Sequence, residues 1–450
     1  MEESNKDFRE WLELLNEGKY AKLKEEINEE NAPNLAEFFE EIPEDKRILV
    51  FRLLTKDNAA ETFAYMDSDM QEEIVNSVTD NEVETIINEL SVDDAVDFLS
   101  ELPANVVTRV LKSVSEDRRK TINRFLNYPE DSAGSIMTIE FMAIHQDYTV
   151  GKAMELIRKT GIDKETIYTC YVVDSRKKLV GVVSLRNLLL SNDEEKVSDI
   201  MEDDVIFVRT LDDQEDTANI FKKYNLIALP VVDNEQRLVG IITVDDIVDV
   251  IEEENTEDIE KMSALLPSED QYLKTSVFTL SKNRIIWLLV LMISGTLSSA
   301  IISGYNSVLS SSVILAAFLP ILMDTGGNAG SQASTLIIRG MAIGEIEMSD
   351  VLSVAWKELR VGAICGVVLG FVNFIRILVL GGTPMAVNIT VSISLAITVV
   401  VSKTIGCMLP MLAKKLRFDP AIMAGPLITT VVDSVSLVIF FNVAKILVLK

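Results

Sequence analysis

Asp433 sits among Val431, Val432 and Val435, roughly midway through an apolar stretch from Pro420 to Lys450. A carboxylate at that depth in a bilayer costs at least ~2.5 kcal/mol on insertion scales, so an ion-handling role is the first reading. A second polar run interrupts another apolar stretch. After Pro320, residues Asp324 to Thr335 read DTGGNAGSQAST. Irregular backbone at membrane depth survives only where it is buried in protein or lines a wet cavity, and the run predicts a broken helix there. A third group lies outside the apolar region, where residues 245–260 read DDIVDVIEEENTEDIE. Asp246, Asp249 and Glu253, then Glu254, Glu257 and Asp258, recur at helical spacing and so share a face. Like charges this close destabilise a helix unless something compensates. Divalent cations shared with other carboxylates would do so, and Asp93, Asp94 and Asp97 at an acidic helix start are candidate partners.

The donors decide the metal class. Three cysteines (Cys170, Cys365, Cys407) and one histidine (His145) leave too little for a zinc site, a disulfide framework or a Cys–His catalytic pair. His145 reads instead as a packed residue in the alternating strand from Phe141 to Gln146. Oxygen donors alone select hard cations. Mg²⁺ keeps its waters and meets protein through one or two carboxylates, which suits Asp433 better than the six to eight direct oxygens Ca²⁺ prefers. Na⁺ and K⁺ remain open on this argument. No nucleophile–base pair or phosphate loop is visible, so the chain does not read as an enzyme.

The distribution of charge shows what must position these groups. Of the 70 acidic residues 63 precede Arg284, against 31 of the 42 basic ones, giving a net −32 for that part and +4 for the rest. Such a surface repels nucleic acid and concentrates cations. The charged opening MEESNKDFREW reads without a cleavable signal, which predicts a cytoplasmic location for the anionic part. Five apolar spans follow at roughly 285–304, 312–340, 352–380, 386–413 and 420–448. Lys282, Arg284, Lys357, Arg360, Lys414, Lys415 and Arg417 flank one side, while 304–311 and 381–388 carry no charge. The positive-inside rule then puts the amino terminus in the cytoplasm and the carboxyl terminus outside. Gly362, Gly366 and Gly370, four residues apart, predict close helix packing.

Two duplications organise the soluble part. Residues 54–78 align with 90–114 at an offset of 36, in a region of helical periodicity with few glycines; a stack of helix pairs forming an all-α superhelix is expected. Thr55 and Ser91 fall at helix starts as hydroxyl caps. Residues 171–184 recur as 230–243 at an offset of 59, each copy preceded by an Ile-Met pair (Ile136-Met137, Ile200-Met201). This internal β-α-β-β-α repeat resembles a tandem of cystathionine-β-synthase (CBS) domains, which implies an α/β regulatory module binding adenine nucleotides or metals. Thr243 and Asp246 fit the nucleotide-binding wording. In the first copy Arg186 is present, but Asn187 stands where a ribose-binding carboxylate belongs.

Taken together, YPEDSAG (128–134), the acidic helix, SGTL (294–297), PILMDTGGNAGSQAST (320–335) and the stretch from Pro426 to Asp433 resemble the MgtE family of magnesium channels over nearly the whole chain. The resemblance implies a multidomain membrane protein: a superhelical amino-terminal domain (1–130), tandem CBS domains (131–253), an acidic connecting or plug helix (254–283) and a five-span helical transmembrane domain (284–450). It implies a homodimer in the plasma membrane, with Asp433 of each subunit holding hydrated Mg²⁺ in a pore lined by Asp324, Gly326, Gly327, Asn328, Gly425 and Thr429. It also implies that Glu61, Asp93 and Asp97 share cytoplasmic Mg²⁺ with Glu215, Asp246, Asp249, Glu254, Glu257 and Asp258, and that ATP is a candidate ligand. Gly425, where some relatives have Asn, departs from the pattern. The competing expectation is a nucleotide-sensing membrane receptor or scaffold without ion flux.

Overall fold

The structure is a computed structural model that describes residues 4–268, 272–273 and 275–448. Residues 1–3 of the expected first domain and 269–271 and 274 of the expected connecting segment lie outside the described residues. The chain forms two compact units, Met1–Val250 and Ile251–Lys450.

The first unit opens with ten short helices: α1 (Ser4–Asn16), α2 (Tyr20–Ile27), α3 (Ala32–Glu41), α4 (Glu44–Phe51), α5 (Lys56–Ala64), α6 (Ser68–Ser77), α7 (Asp80–Glu89), α8 (Val92–Glu101), α9 (Ala104–Ser113) and α10 (Glu116–Phe125). Each boundary has a local cause. Thr55 and Ser91 accept hydrogen bonds from the backbone N–H of Asn58 and Asp94 at 3.3 and 3.2 Å, as their spacing predicts, and Thr79 forms a capping box with Glu82. Pro43 and Pro103 precede α4 and α9. The 36-residue period holds three helices, α5 to α7 mapping onto α8 to α10, where helix pairs were expected. Two-to-four-residue connections turn the chain so sharply that helices pack on the next but one, α3 on α5, α5 on α7 and α4 on α6. Edge-on contacts from Phe38 through Phe39, Phe51 and Phe63 to Phe98 tie the layers, with ring centroids 4.9–6.5 Å apart.

Two three-stranded sheets follow. The first joins β1 (Phe141–His145), β2 (Thr166–Val173) and β3 (Leu179–Ser184), with β1 parallel to β2 and β2 antiparallel to β3. The second joins β4 (Val208–Arg209), β5 (Ala228–Val232) and β6 (Leu238–Thr243) in the same order. Helices α11 (Val150–Thr160), α12 (Leu185–Leu190), α13 (Val197–Ile200) and α14 (Gln214–Tyr224) connect them. The turns repeat as the strands do: Asp174 accepts from the N–H of Arg176 and Lys178, Asp233 from that of Glu235 and Arg237, and Lys177 and Gln236 both take left-handed φ near +60°. The Ile-Met lead-ins are exchanged between copies. A side chain at Gly240 would strike Met137 of the first copy, and one at Gly181 would strike Met201 of the second. The copies are thus mutually dependent.

Helix α15 (Val244–Met262) begins as the last helix of the second repeat and continues without a break to Met262. The border expected at 253/254 falls inside this helix, and the helix expected to reach residue 283 stops at Met262, with Ala264 in a left-handed conformation.

The second unit contains α16 (Val277–Gly304), α17 (Asn306–Ser311), α18 (Leu319–Ala342), α19 (Val351–Leu380), α20 (Met385–Lys415) and α21 (Gly425–Leu447). Among the described residues five helical segments are long and apolar enough to cross a membrane. The expected break in the second span does not occur. Asp324 to Thr335 is continuous α-helix within α18, and the irregularity lies upstream in a 3-10 turn, Val313–Phe318. The glycines serve contact, not chain reversal. A side chain at Gly326 would meet Ser436 and Thr398 at 2.8 Å, one at Gly330 would meet Ile428 at 3.0 Å, and Gly406 of α20 lies against Gly330. Gly362, Gly366 and Gly370 bring α19 onto the backbone of α20 at Val400, Ala396 and Ser392 in the expected manner.

Candidate functional site

In the second unit, packing by the glycine face of α18 turns the opposite face outward. Asp324 and Asn328 are exposed on the protomer, whereas Gly326 and Gly327 are buried against α20 and α21. Of the residues expected to line a pathway, those two glycines set helix spacing. Thr429 of α21 packs on Gly327, its hydroxyl donating to the Pro426 carbonyl at 2.8 Å. Asp433 is half-buried, and its carboxylate is near enough to Asp324 for the two to repel. An exposed polar stripe and two close carboxylates cannot face hydrocarbon. They are suited to water and a cation.

At the start of α21, Gly425 has φ +43°, and a Cβ there would collide with the Met262 carbonyl at the end of α15. Met262 also packs on Ile338, Ala421 and Ala424. Lys261 pairs with Glu257 and Asp419 at 2.6 Å each, and Arg339 donates to Asn255 at 3.5 Å. Asp258 is held above the usual carboxylate range, first by burial and then by Asp419. Glu254, Glu257 and Asp258 are each half-buried.

In the first unit a carboxylate cluster gathers where α8, the approaches to β1 and β2, and the start of α15 meet. Asp93 is 8% exposed, and its Oδ1 has no hydrogen-bond partner. Burial raises its pKa, and Asp94 adds to that. Asp246 accepts from the Thr243 hydroxyl at 2.5 Å, yet burial, with Asp93 and Asp245 nearby, pushes it up to about 7. Glu165, exposed overall but with its carboxylate partly screened from water, is likewise pushed up to about 7, by that desolvation and by Asp93, Asp245, Glu140 and Asp94. Arg118 and Lys164 oppose this at Glu140, though Arg118 donates its Nη2 to the carbonyls of Ile87, Leu90 and Ser91 rather than to a carboxylate. The result is an excess of negative charge around buried Asp93, whose Oδ1 is unpartnered, with Glu140 and Asp246 half-buried and Glu165 exposed beside it. Among the described residues no three His, Cys, Asp or Glu side chains are gathered closely enough to cage a metal. An ion bound here would therefore keep some of its water.

Glu61, Asp97, Glu215 and Asp249 are exposed on the first unit. Glu140 and Glu165 escape sequence reasoning, because a carboxylate before a strand looks like an ordinary turn residue. At the nucleotide wording, the N–H of Asn187 donates to Ser184 Oγ, Arg186 is exposed, and Asp246 is engaged by Thr243.

Comparison with known proteins agrees with this architecture. Residues 319–443 match the family model described as a divalent cation transporter, residues 30–131 the MgtE intracellular N domain, and residues 133–192 and 197–253 the CBS domain. The chain is 36% identical to the magnesium transporter MgtE of Thermus thermophilus over 440 residues, covering 97% of both chains. It is 34% identical to that of Bacillus subtilis, covering 96% of this chain and 95% of the other. Among solved structures it is similar to the cytosolic domain of the Mg²⁺ channel MgtE in complex with ATP (TM-score 0.51, 37% identity, 53% of this chain and 98% of that one). It is also similar to the soluble part of a magnesium transporter (TM-score 0.53, 32% identity, 56% and 99%). These relatives are transporters and not enzymes, and with near-complete coverage at this identity the chain belongs to the MgtE family of magnesium transporters.

Proposed function

We propose that this transporter is a Mg²⁺-selective channel of the plasma membrane, working as a homodimer and closed by Mg²⁺ on the cytoplasmic side. The observation that carries conduction is the exposed stripe of Asp324 and Asn328 beside Asp433 on helices long and apolar enough to span a membrane. A second copy facing that stripe would shield it from lipid and create a water-filled path, and hydrated Mg²⁺ would be held by carboxylates through its waters. Because Lys282, Arg284, Lys357, Arg360, Lys414, Lys415 and Arg417 share one side, the soluble unit belongs in the cytoplasm and the carboxyl terminus outside.

Gating rests on the carboxylate cluster around buried Asp93. Asp93, Asp246 and Glu165 offer only oxygen donors, and the orphaned Oδ1 of Asp93 fits a hard cation that completes its shell. Asp97, Asp249, Glu61 and Glu215, exposed on the same unit, add weaker sites, while Glu254, Glu257 and Asp258 offer others on α15. Mg²⁺ shifts the balance toward the compact state only by its greater affinity for that state. ATP enters through the solved relative bound to it, with Arg186, Asn187, Thr243 and Asp246 as contacts; Asn187 supplies no carboxylate for a ribose.

The test of conduction is Mg²⁺ uptake into proteoliposomes. The native chain should load vesicles whose interior is low in Mg²⁺, and Asp433→Asn, inserted and assembled as before, should cut the initial rate at least tenfold. Absence of native uptake would return the chain to a receptor or scaffold role.

A further inference from the structure

Lys403 lies well inside α20, a membrane-spanning helix, and its side chain is 6% exposed. A Cβ added at Gly362 of α19 would lie 3.6 Å from the Lys403 Cβ, so a neighbouring helix packs closely over the base of this side chain. Its ammonium donates to Oε1 of Gln332 on α18 at 3.4 Å, and no carboxylate pairs with it among the described residues. A buried, unpaired cation is a costly feature in a protein that carries cations.

The hydrogen bond fixes the sense of the neighbouring amide. Lysine only donates, so Gln332 must give it the carbonyl oxygen, which leaves the amide N–H groups for the exposed side. Gln332 is exposed on the same face of α18 as Asp324 and Asn328, at successive intervals of four residues. Gly326 packs on Val432 and Ser436, Gly330 on Val432 and Ile428, and the Ser334 hydroxyl donates to the Met423 carbonyl, so Gln332 is nearer the start of α21 than Asp433 is. The stripe therefore runs, over about 12 Å of helix, from a carboxylate end at Asp324 and Asp433 to a cationic, donor-lined end at Gln332 and Lys403.

We propose that Lys403 is a specificity-determining residue: a tethered cation that, directly and through the amide it orients in Gln332, limits how firmly a divalent ion is held on the stripe. This rests on the ion-pathway reading above. Conduction requires binding weak enough for the ion to leave, and repulsion by a fixed charge scales with the charge of the permeant ion. Removing the ammonium should consequently tighten Mg²⁺ by the square of the factor by which it tightens Na⁺.

Flux into proteoliposomes, measured for Mg²⁺ and, in divalent-free medium, for Na⁺, reads this directly. Lys403→Gln should lower the half-saturating Mg²⁺ concentration about ninefold for each threefold change with Na⁺, while Lys403→Arg keeps both near the native values. Gln332→Glu, which neutralises the ammonium without deleting it, should move the ratio in the same direction and covers the case in which Lys403→Gln fails to assemble. A merely structural lysine would change both ions by one common factor or change neither, and either result in assembled protein overturns the proposal. If the native chain itself passes no Mg²⁺, the pathway reading fails first; if it does and the ratios stay fixed, only the role of Lys403 is lost.

Discussion

Asp246 and Glu165 show how one residue can carry both a cost and a ligand function. Their pKa values of about 7 lie above the ordinary carboxylate range near 4, so between those values the folded protein holds protons that the unfolded chain releases. The associated stability is fully present below about pH 4 and is lost as pH rises to about 7. A cytosolic fragment without divalent ions should accordingly melt lower at pH 8 than at pH 5.5. Asp246→Asn should raise its melting temperature at pH 8, by about 2–4 °C for each kcal/mol relieved, and should shrink the further rise that Mg²⁺ gives the native fragment. Calorimetry at the two pH values checks this; an Asp246→Asn fragment that is less stable at pH 8 would mean the carboxylate is paired in a way the structure does not show. Gly425 makes a steric case at the same scale. With φ +43° and the Met262 carbonyl against it, any side chain is strained and collides. Gly425→Asn should loosen α15 at Met262, seen as faster amide exchange there, and raise flux at high internal Mg²⁺.

The helices themselves were largely legible. Caps at Thr55 and Ser91, prolines at 43 and 103 and the repeated turn at Asp174 and Asp233 are local signals, and local chemistry fixes them. Two readings failed because sequence spacing does not reveal a neighbour. The glycine-rich run in α18 looks like broken backbone until Thr398, Val432 and Ser436 are seen pressed against it. The 36-residue period fits two helices or three, and only the short connections decide. The carboxylate cluster was half visible. Asp93 and Asp246 stand in acidic helix starts, whereas Glu140 and Glu165 join only through the fold, and Lys403 was hidden in a run of apolar residues. The contact role of the glycines gives its own prediction. Gly330→Val should prevent α18 from seating on α20 and α21 and abolish assembly in detergent, since overpacking costs about 1–3 kcal/mol or more where backbone cannot yield. Normal assembly and flux in that variant would remove the glycines from the packing account.

At the scale of the whole molecule, net charge divides labour. The region of −32 is strained by self-repulsion that counter-ions relieve, and the region of +4 carries the spans. On the proposed reading, magnesium is cargo in one and closing signal in the other, which would make the response self-limiting. Changing Asp93, Asp97, Asp246 and Asp249 together to Asn removes ligands and repulsion at once, and the two have opposite signs: loss of ligands keeps the channel open, whereas relief of repulsion favours closure. The most direct measurement is patch-clamp recording with internal Mg²⁺ varied at constant ionic strength, so that general screening is unchanged. The native protein should conduct at low internal Mg²⁺ and close as it reaches millimolar levels, on the order expected for several weak carboxylate sites. The quadruple Asn variant should remain conductive there. Normal closure in that variant would contradict regulation by bound Mg²⁺ at these residues, and a native protein indifferent to internal Mg²⁺ would contradict the account as a whole.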